Sequence, residues 1–193
     1  MPVGFAVVAA RPTLVVVSGP PGSGKTTLAH ALAAAIPCPA VCRDEIKEGL
    51  VHTHRHDFVA GEGDPLTQQA FPLFFDVLRT LLGGGVSVVA EAAFQDARWR
   101  LGLEPLLELA DVCVVQCVAD AEVSYARVAG RGAGRAAHEN TASGIDADEW
   151  AARVASFERI SIEARSIEVD TTDGYTPALS ELVAFVVRPV ALR

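Results

Sequence analysis

The segment Gly19-Pro20-Pro21-Gly22-Ser23-Gly24-Lys25-Thr26, followed by Thr27, fits the pattern G-x-x-x-x-G-K-[ST]. Glycines at these spacings let backbone N–H groups converge on one point, and the positive end of a following helix adds to the pull on an anion. Such a loop is built to cradle polyphosphate oxygens. Lys25 is placed to bridge the β- and γ-phosphates of a nucleotide, and the Thr26 hydroxyl to bind Mg²⁺. Gly19, Pro21, Gly22, Ser23, Gly24, Lys25, Thr26 and Thr27 are therefore the candidate nucleotide contacts, with ATP and Mg²⁺ as the implied ligands.

A second group of polar residues, Arg43-Asp44-Glu45-Ile46-Lys47, follows the short apolar stretch 40–42. At the carboxyl end of a parallel strand, Asp44 opens onto the same crevice as the phosphate loop. There a carboxylate can take the proton from an attacking hydroxyl, a contribution typically of about 10²–10⁴-fold. Asp is also a favoured helix N-cap, and the two roles are compatible. His52, His54 and His56 alternate in sequence. On an extended segment all three face one way and could bind a metal or line an acceptor pocket; on a polar surface loop they do neither.

These residues need a scaffold, and the pattern around them supplies one. Residues 13–18 (TLVVVS), 40–42, 86–90 (VSVVA), 112–118 and 167–170 read as strands. Helices are predicted over 25–35, 44–51, 65–82, 99–110, from Asp120 onward, over 146–162 and over 177–187. Continuous β-branched runs predict strands covered on both faces, and alternation with helices predicts a parallel sheet between two helical layers. Pro65 suits the first turn of its helix, since its missing N–H would be unpaired there anyway. Residues 130–144 are rich in glycine, arginine and small polar residues and lack hydrophobic periodicity, which predicts a loop or lid.

The 193 residues suit one domain, half of them are hydrophobic, and 21% are charged, so a sizeable core is available and disorder is excluded. A formal net charge of -8 disfavours a dedicated nucleic-acid binder. Residues 1–11 lack a basic start ahead of their apolar run, and no stretch approaches the roughly 20 apolar residues of a membrane helix. A cytoplasmic protein with no membrane partner is expected. Cys38, Cys42, Cys113 and Cys117 are read as reduced thiols, with Cys113 and Cys117 on one strand face in the core.

The loop GPPGSGKTT followed by CRDEIK resembles the branch of P-loop kinases that includes polynucleotide 5′-hydroxyl kinase, chloramphenicol phosphotransferase and the zeta toxins, over about residues 13–51. The resemblance implies an α/β, three-layer P-loop NTPase fold: a five-stranded parallel sheet with helices on both faces and a small arginine-bearing lid at about 130–146. It implies Asp44 as the base on an acceptor hydroxyl, with Arg43 beside it. Lys47 stands where polynucleotide kinases hold a substrate phosphate with arginine, and lysine lacks that residue's bidentate fork. Glu91, at the end of the third strand, is implied to support Mg²⁺ through water, or else is a structural carboxylate. Phe94, Gln95 and Arg98 follow it and could line the acceptor pocket, although aromatic residues are more often core.

Related small kinases carry lid arginines that neutralise charge on the γ-phosphate. Arg127, Arg131 and Arg135 are the candidates here, the alternative being a solvated surface stripe. Asp170, Thr171 and Thr172 resemble a segment packed beside adenine, or form a plain Asp-Thr turn. The expected activity is transfer of the γ-phosphate of Mg·ATP to a hydroxyl of a small molecule such as an antibiotic, sugar or nucleoside, with a polynucleotide 5′-hydroxyl as an alternative acceptor. A nucleotide-dependent ATPase or switch using water as the nucleophile is the competing class.

Overall fold

The computed structural model describes residues 11–54, 64–130 and 145–188. Five strands, β1 (Thr13–Ser18), β2 (Ala40–Cys42), β3 (Val88–Glu91), β4 (Asp111–Val118) and β5 (Arg165–Asp170), form one parallel sheet in the order β2-β3-β1-β4-β5. The expected five-stranded α/β architecture is the observed one.

Side chains alternate across each strand, so β1 feeds two separate cores. Leu14 and Val16 pack with Phe74, Phe75 and Leu78 of α3 (Pro65–Gly83) and with Trp99 and Leu103 of α4 (Asp96–Leu103). On the other face, Val15 and Val17 pack with Leu28 and Leu32 of α1 (Lys25–Ala35). Leu182 and Val186 of α7 (Leu179–Val187) complete that layer. Burial on both faces is the reason β1 tolerates no polar alternation, and each such side chain contributes about 1.5–3 kcal/mol. Cys113 and Cys117 join the α1 side as expected, and all four cysteines are free thiols.

The remaining elements frame the carboxyl edge of the sheet. α2 (Arg43–Thr53) starts directly after β2, α5 (Ala121–Ala129) follows β4, and α6 (Ala147–Ala155) precedes β5. Asp64 caps α3 by accepting from Thr67 N at 2.8 Å, immediately before Pro65. Asp146 caps α6 by accepting from Glu149 N at 2.9 Å.

Departures from the predicted boundaries have local causes. The helix predicted over 99–110 begins earlier, at Asp96, and gives way to a 3₁₀ turn over Glu104–Glu108. Pro105 at that point has no N–H to continue the α-helical ladder. β3 starts two residues later than predicted, and just before it the Ser87 side chain accepts from Thr13 N at 2.9 Å. α6 stops at Ala155, well short of 162, and Arg159 instead bridges to Gln95. Asp120 occupies the N-cap position of α5 without a side-chain cap, and its own N–H donates to Thr172 Oγ1 at 3.0 Å.

Among the described residues no helix is long and apolar enough to cross a membrane.

Candidate active site

Residues 19–26 connect β1 to α1. Gly22 and Gly24 hold φ values of 78° and 71°, in the left-handed region that glycine enters freely. Space is as restrictive as angle: a Cβ on Gly22 would stand 2.4 Å from Ser124 O, and one on Gly24 3.1 Å from Thr171 Oγ1. The loop is thus pressed between α5 and the segment after β5.

That segment braces the loop directly. Thr171 Oγ1 donates to Ser23 O at 2.9 Å. Arg127, on α5, donates through Nη1 to Gly22 O at 3.3 Å and to Thr171 Oγ1 at 3.1 Å, and through Nη2 to Thr171 O at 2.6 Å and Thr172 O at 3.2 Å. Asp170 closes a turn by accepting from Thr172 N at 2.7 Å, and that hydrogen bond holds its carboxyl below the usual range. Of Asp170, Thr171 and Thr172, expected beside adenine or as a plain turn, Thr171 touches the phosphate loop and Asp170 closes the turn with Thr172. The expectation that Arg127 sits on a lid is corrected: it lies on α5, and its guanidinium ties the loop to residues 171–172. Arg131 and Arg135, and most of the predicted lid, lie outside the described residues.

Register brings the carboxylates together. Val17 of β1 and Cys42 of β2 both align with Glu91 of β3, so the last residue of the third strand lies between the start of the phosphate loop and the start of α2. Glu91 is fully buried. Thr26 Oγ1 donates to its Oε2 at 3.2 Å, and Lys25 Nζ is 3.9 Å from its Oε1. Burial raises the Glu91 pKa, Lys25 opposes that, and the nearby charge of Asp44 raises it further. The Cys42 thiol, hydrogen-bonded to Glu91 and Glu45, is pushed well above its ordinary pKa, chiefly by burial.

Asp44 lies in the first turn of α2, within electrostatic reach of Glu91, and Arg43 Nη1 donates to its Oδ1 at 2.8 Å. Arg43 Nη2 reaches Thr67 O on α3 at 3.3 Å. Lys47, expected to hold a substrate phosphate, has a carboxylate partner. It is buried, and Nζ is 2.7 Å from Asp64 Oδ2. Burial works against the Asp64 carboxylate, yet hydrogen bonds from Lys47 and from the Thr67 amide and hydroxyl outweigh it and hold the pKa at about 2.

Phe94 is a second correction. Its ring is fully buried and packs against Phe74 and Trp99 at centroid distances of 5.9 and 4.9 Å, so it belongs to the core and has no surface to offer an acceptor. Gln95 and Arg98 are exposed beside the end of β3, with the Arg98 guanidinium 5.6 Å from the Phe71 ring centre. His52 is helical and His54 caps α2, which removes the extended geometry that would align them; His56 lies outside the described residues.

Sequence reasoning missed Asp64 and the bracing role of Thr171. An Asp immediately before Pro65 is a helix-start signal, so the cap was open to detection. Its pairing with Lys47 spans two elements and carries no local signal.

Among the described residues, three buried side-chain atoms of this site have no hydrogen-bond partner: Arg43 Nε and, next to the phosphate loop, Ser23 Oγ and Glu91 Oε1. Ser23 Oγ lies inside the loop, where a Cβ on Gly19 would stand 2.5 Å from it. Unsatisfied buried polar atoms are costly, and the position of Ser23 Oγ and Glu91 Oε1 beside Lys25 and Thr26 fits a phosphate chain with a hard cation.

A parallel sheet whose first strand runs into this glycine-lysine-threonine loop defines a P-loop nucleotide-binding protein. The chain belongs to the AAA_33 family (AAA domain), which matches residues 14–172. No curated protein matches it. Among solved structures, a proposed kinase of Chloroflexus aurantiacus is similar at 24% identity and TM-score 0.80, covering 92% of this chain and 97% of that one. The tunicamycin resistance protein of Deinococcus radiodurans is similar at 19% identity and TM-score 0.59, covering 95% and 100%. A gluconokinase of Sinorhizobium meliloti is similar at 19% identity and TM-score 0.56, covering 92% and 93%. At these identities the likeness is one of fold.

Proposed function

We propose that this protein is an ATP-dependent phosphotransferase that moves the γ-phosphate of Mg·ATP to a hydroxyl of a small molecule. The observation that carries the reading is the strand register that brings Asp44, Glu91, Lys25 and Thr26 to one opening. An ATPase needs the loop and the Glu91 carboxylate; a further carboxylate at the head of α2, within electrostatic reach of Glu91, is what an acceptor hydroxyl requires. The gluconokinase and the tunicamycin resistance protein among the similar structures fit a small acceptor.

The backbone of residues 22–26 and the Lys25 ammonium would hold the phosphates, and Thr26, with Glu91 acting through water, would hold Mg²⁺. When bound, the cation neutralises charge on the phosphate oxygens. Asp44 accepts the proton of the acceptor hydroxyl as its oxygen bonds to the γ-phosphorus and the bond to the bridging oxygen of ADP breaks. Arg43 orients the Asp44 carboxylate through the 2.8 Å contact. Lys47, which stands where polynucleotide kinases hold a substrate phosphate, is engaged by Asp64, and this favours an unphosphorylated acceptor. Arg131 and Arg135 are the remaining candidates to meet the transferring group, while Gln95 and Arg98 flank the acceptor entrance. A cytoplasmic location, where ATP is available, goes with this reading.

The test is a screen with γ-labelled ATP against nucleosides, sugars and hydroxylated antibiotics, run on wild type and Asp44→Asn. The variant should bind Mg·ATP normally and lose transfer by about 10² or more. Equal transfer by both proteins removes Asp44 from the mechanism. ATP turnover that no hydroxyl compound accelerates, and that Asp44→Asn leaves intact, replaces the kinase reading with an ATPase.

A further inference from the structure

We propose that His30, Cys42 and Glu45 form a site for a transition-metal ion of the zinc type, adjoining the proposed Mg²⁺ position at Glu91. His30 projects from α1, Cys42 ends β2, and Glu45 lies in the first turn of α2. His30 Nε2 is 2.7 Å from Glu45 Oε1 and 3.7 Å from Cys42 Sγ, and one ligand atom from each of the three lies within 4.8 Å of the others.

The donor set decides which metal. Imidazole, thiol and carboxylate together match zinc, whose usual bonds of about 2.0–2.3 Å to N, O and S in a tetrahedron put sulfur and nitrogen about 3.6 Å apart. That spacing is already present. The imidazole and carboxylate must part by less than about 1 Å, which is open to both, since their side chains are 50% and 43% exposed. Mg²⁺ and Ca²⁺ favour oxygen ligands and have little use for a thiol, so the two metal positions sort their ions by chemistry.

Accessibility is arranged to match. Cys42 is buried, forming the floor, while His30 and Glu45 stand above it at the surface. Three protein ligands leave a fourth position for water or another group. An ion here ties α1, which opens with Lys25 and Thr26, to α2, which carries Asp44. It therefore sets the spacing between the phosphate loop and the proposed base.

The experiment uses the full chain stripped by chelator, without nucleotide or Mg²⁺. Zn²⁺ is titrated by calorimetry, and Co²⁺ is added as a spectroscopic probe. The expected result is saturable uptake with a sulfur-to-cobalt charge-transfer absorption. That absorption should be lost in Cys42→Ser and retained in Cys38→Ser, with Zn²⁺ affinity weakened at least about tenfold in His30→Ala and in Glu45→Gln. His30 and Glu45 are exposed, so their variants keep the test decisive should Cys42→Ser fail to fold. No uptake, uptake unchanged in His30→Ala and Glu45→Gln, or a charge-transfer band that survives in folded Cys42→Ser overturns the site.

Discussion

The guanidinium of Arg127 ends on Gly22 O, Thr171 Oγ1, Thr171 O and Thr172 O, acceptors drawn from two segments far apart in sequence. A planar fork serves this arrangement where a single ammonium cannot. Arg127→Lys should leave the fold intact by circular dichroism and weaken ATP binding about tenfold, or about 1.4 kcal/mol, by calorimetry. Affinity equal to wild type would show that the loop holds its shape without the clamp. The arginine itself was visible in the sequence as a basic residue near a lid. Its partners were not, because Thr171 reaches the loop only when β5 pairs with β4.

Between elements, the contact that matters most for the acceptor side is the buried Lys47–Asp64 pair, which links α2 to the start of α3. Removing one partner of a buried ion pair typically costs about 3–5 kcal/mol. Asp64→Asn should therefore lower stability by about 3 kcal/mol in denaturant titrations, most of it felt at the junction of these helices. The pH dependence gives a second measure. The folded-state pKa of Asp64 is about 2, below the ordinary value of 3.8. Its stabilisation is thus complete above about pH 4 and is lost as the pH falls through about 2. Asp64→Asn should flatten that acid limb in melting curves taken between these values. An acid limb of unchanged depth in the variant would assign it to other carboxylates.

Across the whole molecule, two apolar layers sandwich the sheet, and the site forms where the strands end. Phe94 lies near that edge yet belongs to the core. Truncating a buried Phe typically costs about 3–5 kcal/mol. For a chain of this size Phe94→Ala should lower Tm by about 10 °C by calorimetry. KM for the acceptor should stay near wild type in the folded fraction. A selective rise in KM with Tm unchanged would return Phe94 to the acceptor pocket.

The phosphate loop, the five strands and the succession of helices could be read from the chain because each rests on local chemistry: a glycine spacing, a β-branched run, a proline in a first turn. Asp44 and Glu91 were recognisable as strand-end carboxylates for the same reason. Their meeting depends on Cys42 and Val17 both aligning with Glu91, a consequence of strand order that no local pattern encodes. The burial of Lys47 against Asp64, the clamp of Arg127 on the loop and the approach of His30 to Cys42 and Glu45 likewise depend on which elements pack together. Local propensity is a property of neighbouring residues and is written along the chain. Pairing between distant side chains exists only after the sheet has chosen its order, and folding made those decisions.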